Sequence, residues 1–260
     1  MLSALRLLVF FTVFSVGAAY AAQTESHVVI LVYHRFSDHV ADSMTVRTQT
    51  FEAQLRLLKE YRYQIVPLRA VLVWLEDPSA VLPARVAVLT ADDGHRSVYD
   101  VLLPIARKER LPVTLFVYPS AISNADYALS WEQTRALAQS GLFDIQSHTY
   151  WHPNFKHERE RRSPSDYVRF VRQQLEMSRQ RIEAHTRQPV DLLAWPFGIY
   201  DDQLMALASQ ERYVAAFSLD ARPVRRGDSR LALPRFMIVE ATGTKGFARL
   251  ISDTAAGKQP

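Results

Sequence analysis

The sequence contains no cysteine, and it also lacks a strong excess of charge of one sign. Without cysteine there is no disulfide bridge, thiolate metal ligand or cysteine nucleophile, so any metal site must use nitrogen and oxygen donors. The 31 basic and 27 acidic residues leave a formal net charge of only +4, and the arginines are scattered along the chain. This balance gives no strong indication of a nucleic-acid partner.

Apolar runs long enough to cross a bilayer are also missing beyond the first residues. At the N-terminus, Arg6 precedes an apolar run from Leu7 to Val16, and small residues including Ala21 and Ala22 follow it. This pattern is typical of a signal peptide, so we predict that residues 1–22 direct export to the periplasm or the cell surface. The alternative is an uncleaved membrane anchor, although the run is short for a span.

The rest of the chain alternates short β-branched or apolar runs with longer stretches of helical periodicity, which is the pattern of an α/β fold. With 48% hydrophobic residues there is enough apolar chain for one full-sized core. We predict a single irregular or incomplete (β/α) barrel of about seven parallel strands, forming one domain over residues 27–260. The candidate strands are 28–32, 86–90, 113–117, 143–147, 192–194, 214–218 and 234–238.

Two adjacent carboxylates, Asp92 and Asp93, follow a predicted buried strand and precede Gly94. In barrel folds, active sites assemble at the C-terminal ends of the strands. Adjacent residues that leave a strand point in different directions, so one carboxylate can bind a metal while its neighbour faces water or substrate. The alternative is an ordinary turn in which a carboxylate caps the next helix.

A second polar segment, SHTYWHP at residues 147–153, also follows a predicted strand. Its two histidines, His148 and His152, are four residues apart and can bind one metal ion from a single turn of chain. Each histidine alone is a weak signal. Two imidazoles and one carboxylate leave coordination positions open for water and substrate, which is what a catalytic divalent site requires.

Together, the Asp-Asp-Gly segment, the SHTYWHP segment and a Pro-aromatic-Gly segment at 196–198 resemble the polysaccharide deacetylases of carbohydrate esterase family four in order and spacing. The resemblance implies a hydrolase that removes N-acetyl groups from an N-acetylhexosamine polysaccharide. It implies that Asp93, His148 and His152 bind a divalent metal ion, with zinc favoured and iron, cobalt or nickel as alternatives. It also implies that Asp92 is the general base.

The proton donor of the usual family pattern is missing, because the last histidine of the chain is His185 and no Leu-x-His motif lies near the C-terminus. The chain is similar instead to a circularly rearranged subgroup that acts on poly-N-acetylglucosamine, in which the equivalent histidine lies on the first strand. The segment LVYH at 31–34 has this character, so the resemblance makes His34 the candidate catalytic acid. The alternative is a buried structural histidine beside the barrel mouth.

A second departure concerns the arginine that normally orients the base, since residues 193–195 contain none. Arg235 on the last predicted strand is a candidate substitute, and a surface arginine is the alternative. The family resemblance assigns oxyanion stabilisation to the backbone N–H of Phe197. Candidate aromatic walls for a sugar ring are Tyr33, Trp151, Trp195, Phe197 and Tyr200, of which Trp195 and Phe197 are favoured.

Two other functions stay open at this point. One is a carbohydrate-binding member of the same fold with weak or lost turnover, which the two departures suggest. The other is a metal-dependent amidase or esterase with a non-sugar substrate, because the same groups can hydrolyse other acyl compounds.

Overall fold

The structure, a computed structural model, describes residues 26–255, so the predicted signal peptide lies outside the described residues. The ten strands of this part are β1 His27–Tyr33, β2 Arg35–Ser37, β3 Thr45–Arg47, β4 Gln64–Ile65, β5 Arg85–Ala91, β6 Val113–Val117, β7 Phe143–Ser147, β8 Leu192–Ala194, β9 Ala215–Phe217 and β10 Phe236–Met237. The eight α-helices are α1 Thr48–Glu60, α2 Leu68–Glu76, α3 Leu103–Glu109, α4 Trp131–Gln139, α5 Phe155–Glu160, α6 Pro164–Thr186, α7 Asp202–Gln210 and α8 Gly243–Ala255. A π-helical turn at Val98–Leu102 leads into α3, and short 3₁₀ turns occur at Pro196–Gly198, Arg230–Ala232 and Glu240–Thr242.

The main sheet is parallel throughout and runs in the order β10-β1-β5-β6-β7-β8-β9, with β4 paired to β5. The seven strands of this path coincide with the seven predicted strands, so the predicted parallel α/β fold is confirmed. The two-residue strand β4 is an eighth member that was not predicted, and β2 and β3 form a separate small sheet.

The two ends of the strand order approach each other through the segment that ends in β10. Leu233 bridges to Phe217 of β9, whereas Phe236 pairs next to Leu31 of β1. The segment therefore lies between the first and the last strand of the sheet. This arrangement gives the irregular barrel that the strand and helix alternation indicates.

Alternation along the strands divides the core into two layers. In β1, Val29 and Leu31 belong to a cluster with the surrounding helices, whereas Val28 and Ile30 belong to a second cluster with residues of α2 and the other strands. All four side chains are fully buried, which is expected for parallel strands covered on both faces. Burial of each such side chain stabilises the fold by roughly 1.5–3 kcal/mol.

Because all strands of the main sheet are parallel, their C-terminal ends lie at one edge of the barrel and their N-terminal ends at the other. We call these the C-terminal edge and the N-terminal edge. Between Ser26 and Ala255, no helix combines the length and the apolar character that a transmembrane span requires.

Candidate metal centre

The candidate residues meet at the C-terminal edge because strand pairing continues past the ends of the strands. The Asp92 N–H donates to Tyr33 O at 2.9 Å, which holds the end of β5 against β1. The His148 N–H donates to Val117 O at 2.8 Å, which holds the end of β7 against β6. The backbone thus fixes the positions from which the carboxylate and imidazole side chains start.

Asp93, His148 and His152 form a group whose potential ligand atoms all lie within 4.8 Å of one another. The Oδ1 atom of Asp93 is 3.7 Å from Nε2 of His148 and 3.9 Å from Nε2 of His152. These separations leave room for one ion between the three side chains. A donor set of two imidazoles and one carboxylate suits a catalytic divalent metal ion, so the residues fit the ion that the sequence predicts.

A hydrogen bond fixes the tautomer of His148. Its Nδ1 lies 2.8 Å from Ala194 O at the end of β8, and because a carbonyl oxygen can only accept, Nδ1 carries the proton. In the neutral imidazole this leaves the lone pair on Nε2, which lies 3.7 Å from Oδ1 of Asp93. This is the orienting contact that metal-binding histidines usually have.

His152 is presented by a turn with unusual backbone geometry. Both Thr149 and His152 have positive φ, at 65° and 60°. The turn is held by hydrogen bonds from Thr149 N–H to the Ser147 hydroxyl at 3.1 Å and from His152 N–H to the Thr149 hydroxyl at 3.2 Å. Burial and the neighbouring His148 lower the pKa of His152 to about 4, which keeps its imidazole neutral and able to bind a cation.

Asp92 forms a fully buried ion pair with Arg235, although the two residues are far apart in sequence. Nη1 of Arg235 lies 2.9 Å from Oδ1 and Nη2 lies 2.7 Å from Oδ2, so both carboxylate oxygens are held. Arg235 also donates to Ser218 O at 3.1 Å and is 0% exposed, so the alternative of a surface arginine is wrong. Burial alone would raise the pKa of Asp92, but the charge and hydrogen bonds of Arg235, together with the charge that His148 carries when it is protonated, lower it to about 2.

His34 follows β1 and lies among the same charged groups. Burial lowers the pKa of His34, whereas the negative charges of Asp92 and Asp93 act in the opposite direction, and the net shift is downward. Its Nδ1 atom is buried and has no hydrogen-bond partner within residues 26–255. The structure thus brings His34 to the predicted site, and its role as an acid stays a prediction.

Phe197 lies at the rim of the site. Its ring packs edge-on against His152 with 4.6 Å between the ring centroids, and the residue is 57% exposed. Its backbone is left-handed, with φ at 57°, which is rare for a bulky residue and is typical of strained functional sites. The next residue must be glycine, because a Cβ on Gly198 would lie 2.9 Å from Cβ of Leu219.

The structure contradicts the prediction that Tyr33 and Trp195 form walls for a sugar ring. Tyr33 is 1% exposed, packs against Phe51, and donates its hydroxyl proton to Gln54 at 2.9 Å. Trp195 is 0% exposed, and its indole N–H donates to Leu231 O at 2.8 Å. Both rings are part of the core beneath the site, so neither has a face available to a ligand.

Tyr118 is a neighbour of the site that the sequence analysis missed. It directly follows β6, and its ring lies 5.5 Å from that of His152. Its hydroxyl lies 2.5 Å from the hydroxyl of Tyr127, a residue that is 40% exposed. Its position immediately after a predicted strand could have identified Tyr118, because the same kind of position identified Asp92 and His148.

A cavity of about 400 Å³ opens next to the Pro196–Gly198 turn, between α5 and the beginning of α7. Its walls include Tyr167 and Tyr200 together with Arg159, which pairs with Asp201 at 2.6 Å. Aromatic faces beside a few polar groups are the usual lining of a small-molecule site.

Comparison with known proteins adds to this geometry. A family model described as polysaccharide deacetylase matches residues 80–216. The poly-beta-1,6-N-acetyl-D-glucosamine N-deacetylase of Staphylococcus aureus (strain MRSA252) is 19% identical over 211 residues, which cover 80% of this chain and 72% of that protein.

Two solved structures share the fold. The Streptococcus pyogenes deacetylase PplD in complex with acetate matches with a TM-score of 0.75 and 21% identity over 88% of this chain and 99% of that one. IcaB from Ammonifex degensii matches with a TM-score of 0.76 and 21% identity over 87% of this chain and 97% of that one.

Proposed function

The chain belongs to the polysaccharide deacetylase family, and from this premise we propose that it hydrolyses the N-acetyl groups of an N-acetylhexosamine polysaccharide with the aid of a divalent metal ion. Membership of this family makes the chain a deacetylase hydrolase. Poly-β-1,6-N-acetylglucosamine is the favoured substrate, because the matching relatives are named for it and His34 precedes the other site residues. The observation that carries the proposal is the buried Asp92 beside the Asp93, His148 and His152 group.

Asp93, His148 and His152 would hold the metal ion. When bound, a divalent ion lowers the pKa of a water molecule toward neutrality and polarises the amide carbonyl. Zinc suits the mixed imidazole and carboxylate donors, and iron, cobalt and nickel are alternatives that accept the same donors.

Asp92 would act as the general base. Its Oδ2 lies 3.8 Å from Nε2 of His148, so the carboxylate faces the metal-binding group, while Arg235 holds both of its oxygens. This ion pair orients the carboxylate toward the attacking water and keeps Asp92 ionised, while it also makes Asp92 a weaker base than a free carboxylate.

His34 would act as the general acid. As the carbon–nitrogen bond breaks, the departing nitrogen needs a proton to leave as a free amine, and the acyl part leaves as acetate. Burial lowers the pKa of His34, and the charges of Asp92 and Asp93 offset only part of that effect, so His34 would take up the proton that it delivers during the reaction. The backbone N–H of Phe197 would stabilise the oxyanion that forms on the carbonyl oxygen.

The exposed ring of Phe197 and the neighbouring cavity beside Tyr200 would contact the sugar units. An extracellular polysaccharide requires an exported enzyme, so the predicted signal peptide at residues 1–22 fits a periplasmic, secreted or cell-surface location.

Acetate release tests this function. The purified chain is stripped with a chelator, reloaded with zinc, and incubated separately with oligosaccharides of poly-N-acetylglucosamine, chitin oligosaccharides and peptidoglycan. We expect acetate from the reloaded protein, with poly-N-acetylglucosamine the best substrate, and none from the stripped protein. Absence of acetate from all three substrates would contradict the proposed activity, and equal release by stripped protein would contradict the role of the metal.

A further inference from the structure

Four connections between a helix and the following strand end in the same unusual way. Arg62 follows α1, Arg110 follows α3, Arg187 follows α6 and Arg212 follows α7, and each has a positive φ between 55° and 69°. Helices commonly end in a left-handed residue, but that residue is usually glycine or asparagine. The connection after α4 follows the usual rule, with Gly141 at a φ of 72°.

The four arginines all lie at the N-terminal edge, opposite the metal centre. Arg62 precedes β4, Arg110 precedes β6, Arg187 precedes β8 and Arg212 precedes β9, and these strands are parallel members of one sheet. At the same edge, a cavity of about 560 Å³ is lined by Arg62, Arg85 and the acidic Glu60. The repeated position places four cations on one side of the molecule.

The four side chains are exposed, and none of the guanidinium groups has a hydrogen-bond or ion-pair partner in the part of the chain that the structure describes. Two of the three acidic residues next to these arginines are paired elsewhere, and the third, Glu60, is exposed two residues before Arg62 and forms no ion pair with it. Glu109 pairs with Lys108 at 3.9 Å, and Glu211 pairs with Arg172 at 2.6 Å. The charges of the arginines are therefore directed to solvent.

Local stability does not account for arginine at these positions. A side chain with a Cβ is sterically disfavoured in the left-handed region, and glycine would avoid that cost. A cation near the end of a helix does interact favourably with the helix dipole. However, Lys59 already provides this in the last turn of α1, and Arg107 and Lys108 provide it in α3, all without a left-handed backbone.

We infer that Arg62, Arg110, Arg187 and Arg212 form a docking face for an anionic lipid bilayer. Phosphate-bearing headgroups supply the complementary charge over a broad, flat surface, which suits four separate cations better than a compact ligand does. The chain before β1 joins the barrel at this edge, and if residues 1–22 are kept as the membrane anchor that is the alternative to a cleaved signal peptide, only ten residues separate the apolar run ending at Val16 from His27. A barrel docked by this face directs its metal centre away from the bilayer.

Vesicle binding by the full chain tests the docking face. Sedimentation with vesicles of pure phosphatidylcholine is compared with sedimentation with vesicles containing phosphatidylglycerol, so that the contribution of the apolar N-terminal run is common to both. Each basic residue near an anionic surface contributes about fivefold to binding. We therefore expect at least about tenfold tighter binding to the anionic vesicles at low salt, and loss of this preference at high salt because the charges are screened.

Replacement of all four arginines by asparagine, which tolerates the left-handed region, is expected to remove the preference without lowering the thermal midpoint. Replacement of all four by lysine keeps the charges and is expected to keep the preference. The matched control replaces four exposed arginines on the helices and loops elsewhere, namely Arg56, Arg135, Arg161 and Arg181, and is expected to bind like the wild type.

Three results would overturn the inference. The first is no preference of the wild type for anionic vesicles, a measurement that requires no variant to fold. The second is an equal loss of preference in the control variant, which would reduce the effect to net charge. The third is an asparagine variant that keeps the preference for anionic vesicles, and if that variant also lost binding to a DNA fragment, the face would be assigned to a soluble polyanion.

Discussion

The two edges of the barrel both contain residues other than glycine with a left-handed backbone, but they use them differently. At the C-terminal edge, positive φ occurs at Asp93, Thr149, His152 and Phe197. The side chains or backbone hydrogen bonds of these residues meet around the partly buried candidate metal site. At the N-terminal edge, Arg62 and its three counterparts adopt it with side chains that diverge into solvent.

The difference shows how strain is related to function in this fold. Convergent strained residues depend on one another, because a shift in one turn moves a ligand, a base or a rim residue. The strained arginines at the N-terminal edge direct their side chains into solvent, so we expect that replacing any one of them changes the stability of the barrel little. Substitutions at the C-terminal edge are therefore expected to have large effects and those at the N-terminal edge small ones.

The largest expected effect is that of His148→Ala. It removes a ligand, so we expect metal affinity to fall by more than about 100-fold, the upper loss seen when only the outer support of a ligand is removed. Acetate release should fall to background. Metal analysis after dialysis measures the first effect.

The matched control for this change is His185→Ala, since His185 stacks on Trp131 with 4.0 Å between the ring centroids and does not contact the site. Metal content and turnover should stay at the wild-type level in this variant. A His148→Ala protein that keeps its metal would show that the three side chains are not a ligand set.

Arg235→Met is expected to have the next largest effect, because it leaves the Asp92 carboxylate buried and unpaired. The free energy of unfolding should fall by roughly 3–5 kcal/mol. Denaturant unfolding measures this, with Arg222→Met as the control. Arg222 also holds both oxygens of an aspartate, at 2.9 Å and 3.0 Å to Asp228, but it is 31% exposed.

The control should lose about 1 kcal/mol or less, as exposed ion pairs do. Equal losses of unfolding free energy in the two variants would contradict the expectation that burial makes the Arg235–Asp92 pair the more important one for stability.

Gly198→Ala should have a moderate effect. The new Cβ would lie 2.9 Å from Cβ and 3.0 Å from the backbone N of Leu219, so the Phe197 turn must shift. We expect a loss of about 1–3 kcal/mol in stability together with reduced turnover. Gly141→Ala at the N-terminal edge is matched in backbone, with a φ of 72° and no atom within 4 Å of the added Cβ.

The Gly141→Ala protein should lose only the backbone cost, about 1 kcal/mol, and should keep full turnover. Reduced turnover in this variant would remove the distinction between the two edges.

The smallest expected effect is that of Arg110→Gly at the N-terminal edge. Relief of the left-handed strain offsets the entropy that glycine adds to the unfolded chain, so stability should stay constant or rise by up to about 1 kcal/mol. Arg107→Gly, within the right-handed helix α3, should instead lower stability by about 1 kcal/mol. Thermal unfolding of both variants measures the contrast, and a large loss in Arg110→Gly would show that its side chain has a structural role.

Much of this organisation is predictable from the sequence. The strands are short apolar runs in a chain of clear α/β alternation, and Asp92, Asp93, His148 and His34 are each placed by a strand that ends just before them. Strand β4 escapes prediction because two residues carry no periodic signal.

The pairing of Arg235 with Asp92 depends on how the barrel closes, since it brings the segment before β10 to the end of β5. No sequence pattern around either residue predicts that contact. The burial of Tyr33 could have been predicted from the sequence, because Tyr33 alternates with the same period of two as Val29 and Leu31, both of which lie in the helix-facing core. The burial of Trp195 could not have been predicted in this way, because β8 is too short for its sequence to define an inner and an outer face.

The central claim is that Asp92 at the C-terminal edge acts as a base, whereas the separate group of Asp93, His148 and His152 binds the metal ion. Asp92→Asn tests this claim most directly. Zinc content and acetate release are measured together on the same preparation of the variant and the wild type. We expect the variant to retain its zinc and to lose activity by about 10²–10⁴-fold, the usual contribution of a general base. A variant that keeps zinc and wild-type turnover, or that loses its zinc along with its activity, would contradict the separate role assigned to Asp92.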